Sequence, residues 1–295
     1  MSKLIVRIKG GIGNQLFCYA AARRLALVNN AELVIDNVTG FRRDQYRRQY
    51  ALDKFSIKAR KASSQERMEP FERSRRGLSK YFARIRPFFK RHYLEQEGND
   101  FDDRLLDFKI KGTVYLDGYW QSEDYFKDIE KTIREDLMFI SSEDPVNREL
   151  IERITRCNAV AVHVRWFDSP SSNNVSHNAT KMYYDKAIAR IRKQLTEPHF
   201  YVFSDHPVAA RDLLNLPGEL MTLVDHNPGD ENACSDLWLM THCKHFIIAN
   251  STFSWWGAWL AEFNKKIIIA PGMIIREGIT VWNFKGQIPD RFIVL

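Results

Sequence analysis

The sequence predicts an α/β protein with two Rossmann-type domains, each on a parallel sheet. Three observations carry this. The chain opens as strand, glycine-rich turn, helix, strand. From Asn147 to Ala270, short apolar runs alternate with segments of helical period. Residues suited to phosphates and hydroxyls gather just past the apolar runs, where parallel sheets hold their ligands.

The elements come in this order. LIVRI (Leu4 to Ile8) is a short buried strand, GGIGNQ a turn, and LFCYAAARRLALVNN a helix. AELVID (Ala31 to Asp36) is the second strand. TVYLDGYW reads as a strand ending at Trp120, and QSEDYFKDIEKTIREDLMF as a helix capped by Ser122. SSEDPVN (Ser141 to Asn147) marks the domain boundary, giving domains 1–145 and 146–295. In the second domain, helices cover Asn147 to Arg156, Lys181 to Gln194, PVAARDLLNL, ACSDLWLMTHC and STFSWWGAWLAEF. The strands are Ala159 to Arg165, His199 to Asp205, MTLVDH, HFIIA and, as the last clear one, KIIIA (Lys266 to Ala270).

Bulk properties exclude several classes. At 295 residues the chain is long enough for two domains of about 150 each. No run approaches the roughly 20 apolar residues of a membrane span. The first residues lack a signal-peptide pattern. Cys18, Cys157, Cys234 and Cys243 are scattered without a CxxC pair, so reduced thiols in a cytoplasm are expected, with no disulfide framework. In THCKHF, neighbouring residues on an entering strand point to opposite faces, so no metal site is expected there.

The net charge of +7 is concentrated. Lys58 to Arg91 holds twelve Lys or Arg against three Glu, a net +9, which leaves −2 for the rest. Leu78, Tyr81, Phe82, Ile85, Phe88 and Phe89 recur there near helical spacing, with Pro87 interrupting. This basic insertion (58–93) admits two readings. One is peripheral contact of 58–91 with an anionic surface, such as the inner face of a membrane. The other is a solvated helix whose aromatics pack on their own domain. Nothing matches a nucleic-acid recognition module, so no nucleic-acid partner is expected.

The residues just past the strands form the candidate site. They are Gly10, Gly11, Gly13, Asn14 and Gln15; His163, Arg165 and Asp168; Ser204, Asp205 and His206; and Asn250, Ser251, Thr252 and Ser254. His163 and Arg165 are two apart at a strand end, hence on one face. Arg165 offers a fixed fork of donors to a diphosphate, or else pairs with Asp168 or Asp205. His163 is a nucleotide contact or a buried, hydrogen-bonded ring. GGIGNQ is half a dinucleotide fingerprint, with Leu16 where the last glycine belongs, and NAD binding is a rival reading. In ANSTFSWWGAWLAEF, hydroxyls stand at a helix start ahead of Trp255, Trp256 and Trp259. Such a start holds a phosphate, or Ser251 only caps it.

Together, GGIGNQLFCYAAARRLA, RQYALDKFSI, GYWQSEDYF, HVRWFD, YYDKAI, FYVFSDHP and ANSTFSWWGAWLA resemble the α-1,2-fucosyltransferases of glycosyltransferase family 11. They occur in the family's order from Gly10 to Pro271, with the basic segment outside the likeness. The resemblance implies a GT-B-like fold, two Rossmann-type domains facing across a cleft, with the acceptor on the N-terminal side and the donor on the C-terminal side. It implies transfer of L-fucose from GDP-fucose to the 2-hydroxyl of a galactose-type glycan, with inversion and without a metal or other cofactor. A short blood-group-like oligosaccharide or an O-antigen unit, lipid-linked or free, fits as acceptor. Gly11, Gly13, His163, Ser204 and Asn250 would line the donor, with Arg165 on the β-phosphate and Asp205 on guanine or ribose. Ser251, Thr252 and Ser254 would meet the diphosphate, and Asn14 the sugar or leaving oxygen. Asp168 is the first candidate base and His177 the second; orienting Arg165 is the other role open to Asp168. One departure stands out. The family pattern HxRRxD has a second Arg, and here Trp166 and Phe167 follow Arg165. A different nucleotide-deoxysugar donor is therefore an alternative, as is a non-catalytic sugar-nucleotide or glycan-binding module.

Overall fold

The computed structural model describes residues 1–140, 144–167 and 178–295. The chain divides into two compact units, Met1–Ile140 with Lys285–Gln287, and Ser141–Phe284 with Ile288–Leu295.

The first unit contains β1 (Lys3–Arg7), α1 (Ile12–Val28), β2 (Glu32–Asp36), β3 (Arg60–Lys61), α2 (Glu72–Arg84), β4 (Tyr93–Glu95), β5 (Thr113–Asp117) and α3 (Glu130–Asp136). Its sheet runs β3-β2-β1-β5-β4, and every pairing is parallel. The chain steps from β1 outward to β2 and β3, then returns to the other side of β1. The order therefore reverses between β1 and β5, where an open parallel sheet leaves a crevice at its carboxyl edge. The centres of β1 and β2 are apolar and buried, and α1 buries Leu16, Phe17 and Tyr19 beside Ala20, Ala21 and Ala22. The small alanines let this helix lie close to the sheet. Gly10 sits at φ +76, and a Cβ there would meet the Asn14 side chain at 2.9 Å, so the turn into α1 requires glycine.

The second unit contains α4 (Pro145–Arg156), β6 (Asn158–Val164), α5 (Lys181–Gln194), β7 (Pro198–Ser204), α6 (Pro207–Leu214), β8 (Met221–Val224), α7 (Ala233–Thr241), β9 (His245–Ile247), α8 (Thr252–Leu260), β10 (Ile268–Ala270), β11 (Ile274–Arg276), β12 (Ile279–Trp282) and β13 (Ile293–Val294). Its sheet runs β13-β10-β9-β6-β7-β8, again all parallel. The core joins β6, β7 and α5 through Val160, Val162, Tyr184, Ile188 and Phe200. Here the order reverses between β6 and β9.

The structure departs from the expected elements at several places. The strand expected through Trp120 ends at Asp117, and Trp120 turns the chain at φ 56. The helix expected from Gln121 is two 3₁₀ turns, Glu123–Tyr125 and Lys127–Ile129, before α3. Tyr125 and Phe126 are both buried in these turns. Ser122 still caps the first turn, its Oγ accepting from Asp124 N at 3.1 Å. Three further strands lie beyond KIIIA: the antiparallel hairpin β11–β12, and β13 beside β10. The basic segment supplies β3 and, just past it, β4 lies at the opposite edge of the first sheet. The aromatics of the segment do not pack on their own unit as a set. Phe88 is buried against Phe108, whereas Leu78, Tyr81, Phe82, Ile85 and Phe89 are exposed.

Candidate functional site

The ends of β6, β7 and β9 lie side by side at the carboxyl edge of the second sheet. The register pairs Val164 with Ser204 and Val162 with Ile247. Arg165, Asp205 and Asn250 thus emerge together at the point where strand order reverses, the place where such sheets bind ligands.

His163 is the penultimate residue of β6 and is buried. Its Nδ1 lies 2.8 Å from Ser254 Oγ in the first turn of α8, and its ring lies 5.2 Å from that of Phe253. Burial, and then the Arg165 charge, push its imidazole down to about 3. The ring is therefore neutral at ordinary pH, and the structure shows the buried, hydrogen-bonded alternative. The Ser254 hydroxyl is fully buried and also reaches Ser251 O at 3.3 Å, so Ser254 ties α8 to β6.

Arg165 Nη1 pairs with Asp205 Oδ2 at 3.0 Å, with the two side chains 26% and 25% exposed. Of the two partners expected for Arg165, Asp205 is the one seen. Asp168 lies outside the described residues, as does His177. Asp205 Oδ1 also accepts from Trp166 N at 3.1 Å. One carboxylate thus fixes both the guanidinium and the backbone beside it. At this exposure the pair is worth under about 1 kcal/mol, so its effect is to orient the fork rather than to stabilise the fold. Trp166 packs against the core, and the exposed Phe167 ring lies 5.7 Å from the Arg165 guanidinium. Phe167 N donates to Asn178 Oδ1 at 2.9 Å. Ser204 Oγ accepts from His206 N at 3.1 Å, closing the turn after β7.

Helix α8 begins beside this pair. Ser251 is its N-cap, Oγ accepting from Phe253 N at 3.3 Å, and Thr252 opens the helix with no acidic residue in the first turn. Backbone N–H groups at the start and the helix dipole favour an anion there. Trp255, Trp256 and Trp259 are buried with ring centroids 5.2 to 6.4 Å apart, and they anchor the helix. Gly257 lets α8 close on α7, since a Cβ there would lie 2.3 Å from Met240 Sδ.

At the carboxyl edge of the first sheet, Gly11 is the N-cap of α1 and Gly13 lies in its first turn. Asn14 Oδ1 accepts from Gln121 Nε2 at 2.8 Å, and Gln121 Oε1 accepts from Gln287 Nε2 at 3.1 Å. Gln15 braces the turn, donating to Gly10 O and Gln49 O at 2.9 Å each. Gly10–Gln15 thus forms a fixed turn at the reversal between β1 and β5.

Some supporting residues escape sequence reasoning. Tyr184 OH donates to His163 O at 2.9 Å, and Tyr183 OH reaches Ile248 O at 2.7 Å and Ile269 O at 2.9 Å. These buried phenols of α5 hold the strand ends that carry the site. The sequence places the pair in YYDKAI, on an amphipathic helix where two tyrosines read as core filling. Asn178 carries no signal, and Gln121 is marked only by lying within GYWQSEDYF. Among the described residues, no three His, Cys, Asp or Glu cluster in a way that would hold a metal ion, and no helix is long and apolar enough to cross a membrane.

The chain is similar to several known proteins. The family model described as glycosyl transferase family 11 matches residues 3–276. An alpha-1,2-colitosyltransferase of Escherichia coli is 30% identical over 275 residues, 92% of each chain. The O-antigen biosynthesis glycosyltransferase WbnK of Escherichia coli is 32% identical over 286 residues, 90% of this chain and 92% of that one. Among solved structures, Arabidopsis thaliana FUT1 in complex with GDP superposes with a TM-score of 0.55 at 15% identity, covering 92% of this chain and 71% of that one. The fucosyltransferase NodZ from Bradyrhizobium superposes with a TM-score of 0.51 at 16% identity, covering 88% and 92%. At such identities the structural likeness shows the fold, which is of the GT-B type with two Rossmann-like units.

Proposed function

The chain belongs to glycosyl transferase family 11 and is a glycosyltransferase, and from that premise we propose that it moves L-fucose from GDP-fucose to the 2-hydroxyl of a galactose-type residue during O-antigen synthesis. One observation carries the donor assignment. The Asp205-oriented guanidinium of Arg165 and the start of α8 stand together at the strand-order reversal. A nucleoside diphosphate is the ligand whose charge matches that arrangement.

In this reading the acceptor oxygen attacks the anomeric carbon as the bond to the β-phosphate oxygen breaks, which inverts the centre and releases GDP. Charge grows on the β-phosphate. Arg165, Ser251, Thr252 and the first N–H groups of α8 meet it, with no metal needed. His163 and Ser254 act as positioning residues through their shared hydrogen bond. Ser204 and Asn250 line the donor, and Asp205 keeps Arg165 oriented while its remaining lone pairs accept from guanine or ribose. Gly11, Gly13 and Asn14 contact the reacting end of the substrates. Asp168, or else His177, takes the acceptor proton.

A second reading has its own observation. Trp166 and Phe167 put two apolar rings where the family pattern carries a second charge, and the 30% identical relative is named as a colitosyltransferase. Colitose is L-fucose without its 3-hydroxyl, so GDP-colitose is the alternative donor. Incubation with each sugar nucleotide and a galactose-terminated oligosaccharide, followed by NMR of the product, tests both. A new linkage at O2 of galactose from GDP-fucose supports the first reading, and one from GDP-colitose alone selects the second. Turnover of neither, with another sugar nucleotide consumed, contradicts both.

A further inference from the structure

Helix α2 is built inside out. A helix on the surface of a globular unit normally turns its apolar stripe to the core. Here the inward face is polar: Arg76 Nη2 donates to Thr39 Oγ1 at 2.8 Å and approaches Asp36 Oδ2 at 3.4 Å, while Lys80 Nζ lies 3.3 Å from Asp117 Oδ2 and also binds Glu95. Ala83 is the only apolar residue of the helix that is buried. The apolar stripe points outward. Phe71, Leu78, Tyr81, Phe82, Ile85 and Phe89 are between 52% and 73% exposed. Leu78, Tyr81, Phe82 and Ile85 recur at helical spacing and share one face.

Cations surround that stripe. Arg73, Arg75, Arg84, Arg86 and Lys90 are all exposed, and among the described residues only Arg84 of these has a carboxylate partner, Glu95 at 3.2 Å. The stretch from Lys58 to Arg91 carries +9. An exposed apolar band ringed by one sign of charge marks an interaction surface. We infer that α2 and the Pro87–Lys90 turn dock on an anionic phospholipid surface, the rings entering the acyl boundary and the arginines and lysine meeting the headgroups. Charge decides between occupants. A second copy of this chain would bring the same exposed arginines and lysine against them, which opposes association, whereas an anionic bilayer complements them.

Two variants of the full chain separate the contributions. Tyr81→Ser/Phe82→Ser/Ile85→Ser removes the band, and Arg73→Gln/Arg75→Gln/Arg86→Gln removes charge. Every altered side chain is exposed, so thermal melting should stay near wild type for both. The readout is cosedimentation with vesicles of phosphatidylcholine, alone or mixed with phosphatidylglycerol, which needs no sugar donor and so stands or falls apart from the catalytic reading. The wild type should pellet with the mixed vesicles and not with phosphatidylcholine alone, and added salt should release it. The charge variant should bind about a hundredfold more weakly, and the band variant at least about tenfold more weakly. No pelleting of the wild type, pelleting indifferent to anionic lipid, or a band variant that binds as well as the wild type would each overturn the inference. So would a wild-type dimer that the band variant converts to monomer without any lipid binding.

Discussion

His163 and Ser254, 91 residues apart in sequence, share a buried 2.8 Å hydrogen bond that locks the end of β6 to the first turn of α8. Strand end and helix start are the two parts proposed to hold the diphosphate, so this bond sets their spacing. Ser254→Ala leaves a buried imidazole nitrogen without its partner and should cost about 1–3 kcal/mol of stability. It should also weaken donor affinity, because α8 is no longer tied to the strand that carries Arg165. Chemical denaturation and nucleotide titration of the same variant check both parts.

The neutral state of His163 gives the fold an acid weakness. The folded ring titrates near 3, below its ordinary 6.5. Between those values the unfolded chain binds the proton that the folded chain refuses, so stability falls as pH drops through that window. At about pH 5 this group alone accounts for about 2 kcal/mol. His163→Gln should show a shallower loss of stability between pH 7 and 5 than the wild type.

Asp236 acts in the opposite direction, as a cost that grows with rising pH. Burial raises its carboxyl to about 7, although Asn227 donates to it at 2.9 Å. Its folded value exceeds its unfolded one, so the folded chain holds the extra proton, and stability declines as pH rises from about 4 through 7. Asp236→Asn should be more stable than wild type at pH 8, by about 1 kcal/mol or more, and should lose that advantage near pH 4. Melting curves at the two pH values decide it.

Gly257 is a packing requirement of the helix that presents the site. Met240, fully buried, leaves no room for a Cβ at that position. Gly257→Ala should therefore destabilise by about 1–3 kcal/mol, despite alanine's better helix propensity. A variant as stable as the wild type would show that α7 and α8 are less tightly packed than described.

Much of this is legible in the sequence, for physical reasons. Fully buried parallel strands read as continuous apolar runs, so β6, β7 and β9 stand out, and glycine and hydroxyl residues mark the turns at their carboxyl ends. Once the strand ends are placed, sheet topology gathers Arg165, Asp205 and Ser251 without further information. The elements that local sequence misses are decided by tertiary contact. β3 and β4 are two and three residues long at sheet edges, too short to show a period. Periodicity finds the stripe on α2 but not its direction, because Arg76 and Lys80 face buried carboxylates that the local sequence does not reveal. The phenols of Tyr183 and Tyr184 bond to strand carbonyls distant in sequence, which no local pattern encodes.

The most direct test of the central claim is calorimetric titration with GDP and UDP, on the wild type and on Arg165→Ala. The account predicts that GDP binds the wild type in preference to UDP, and that affinity drops by at least about tenfold in the folded variant, the loss expected for one charge-assisted contact. Equal GDP affinity in the two proteins, or binding of UDP in place of GDP, would contradict it.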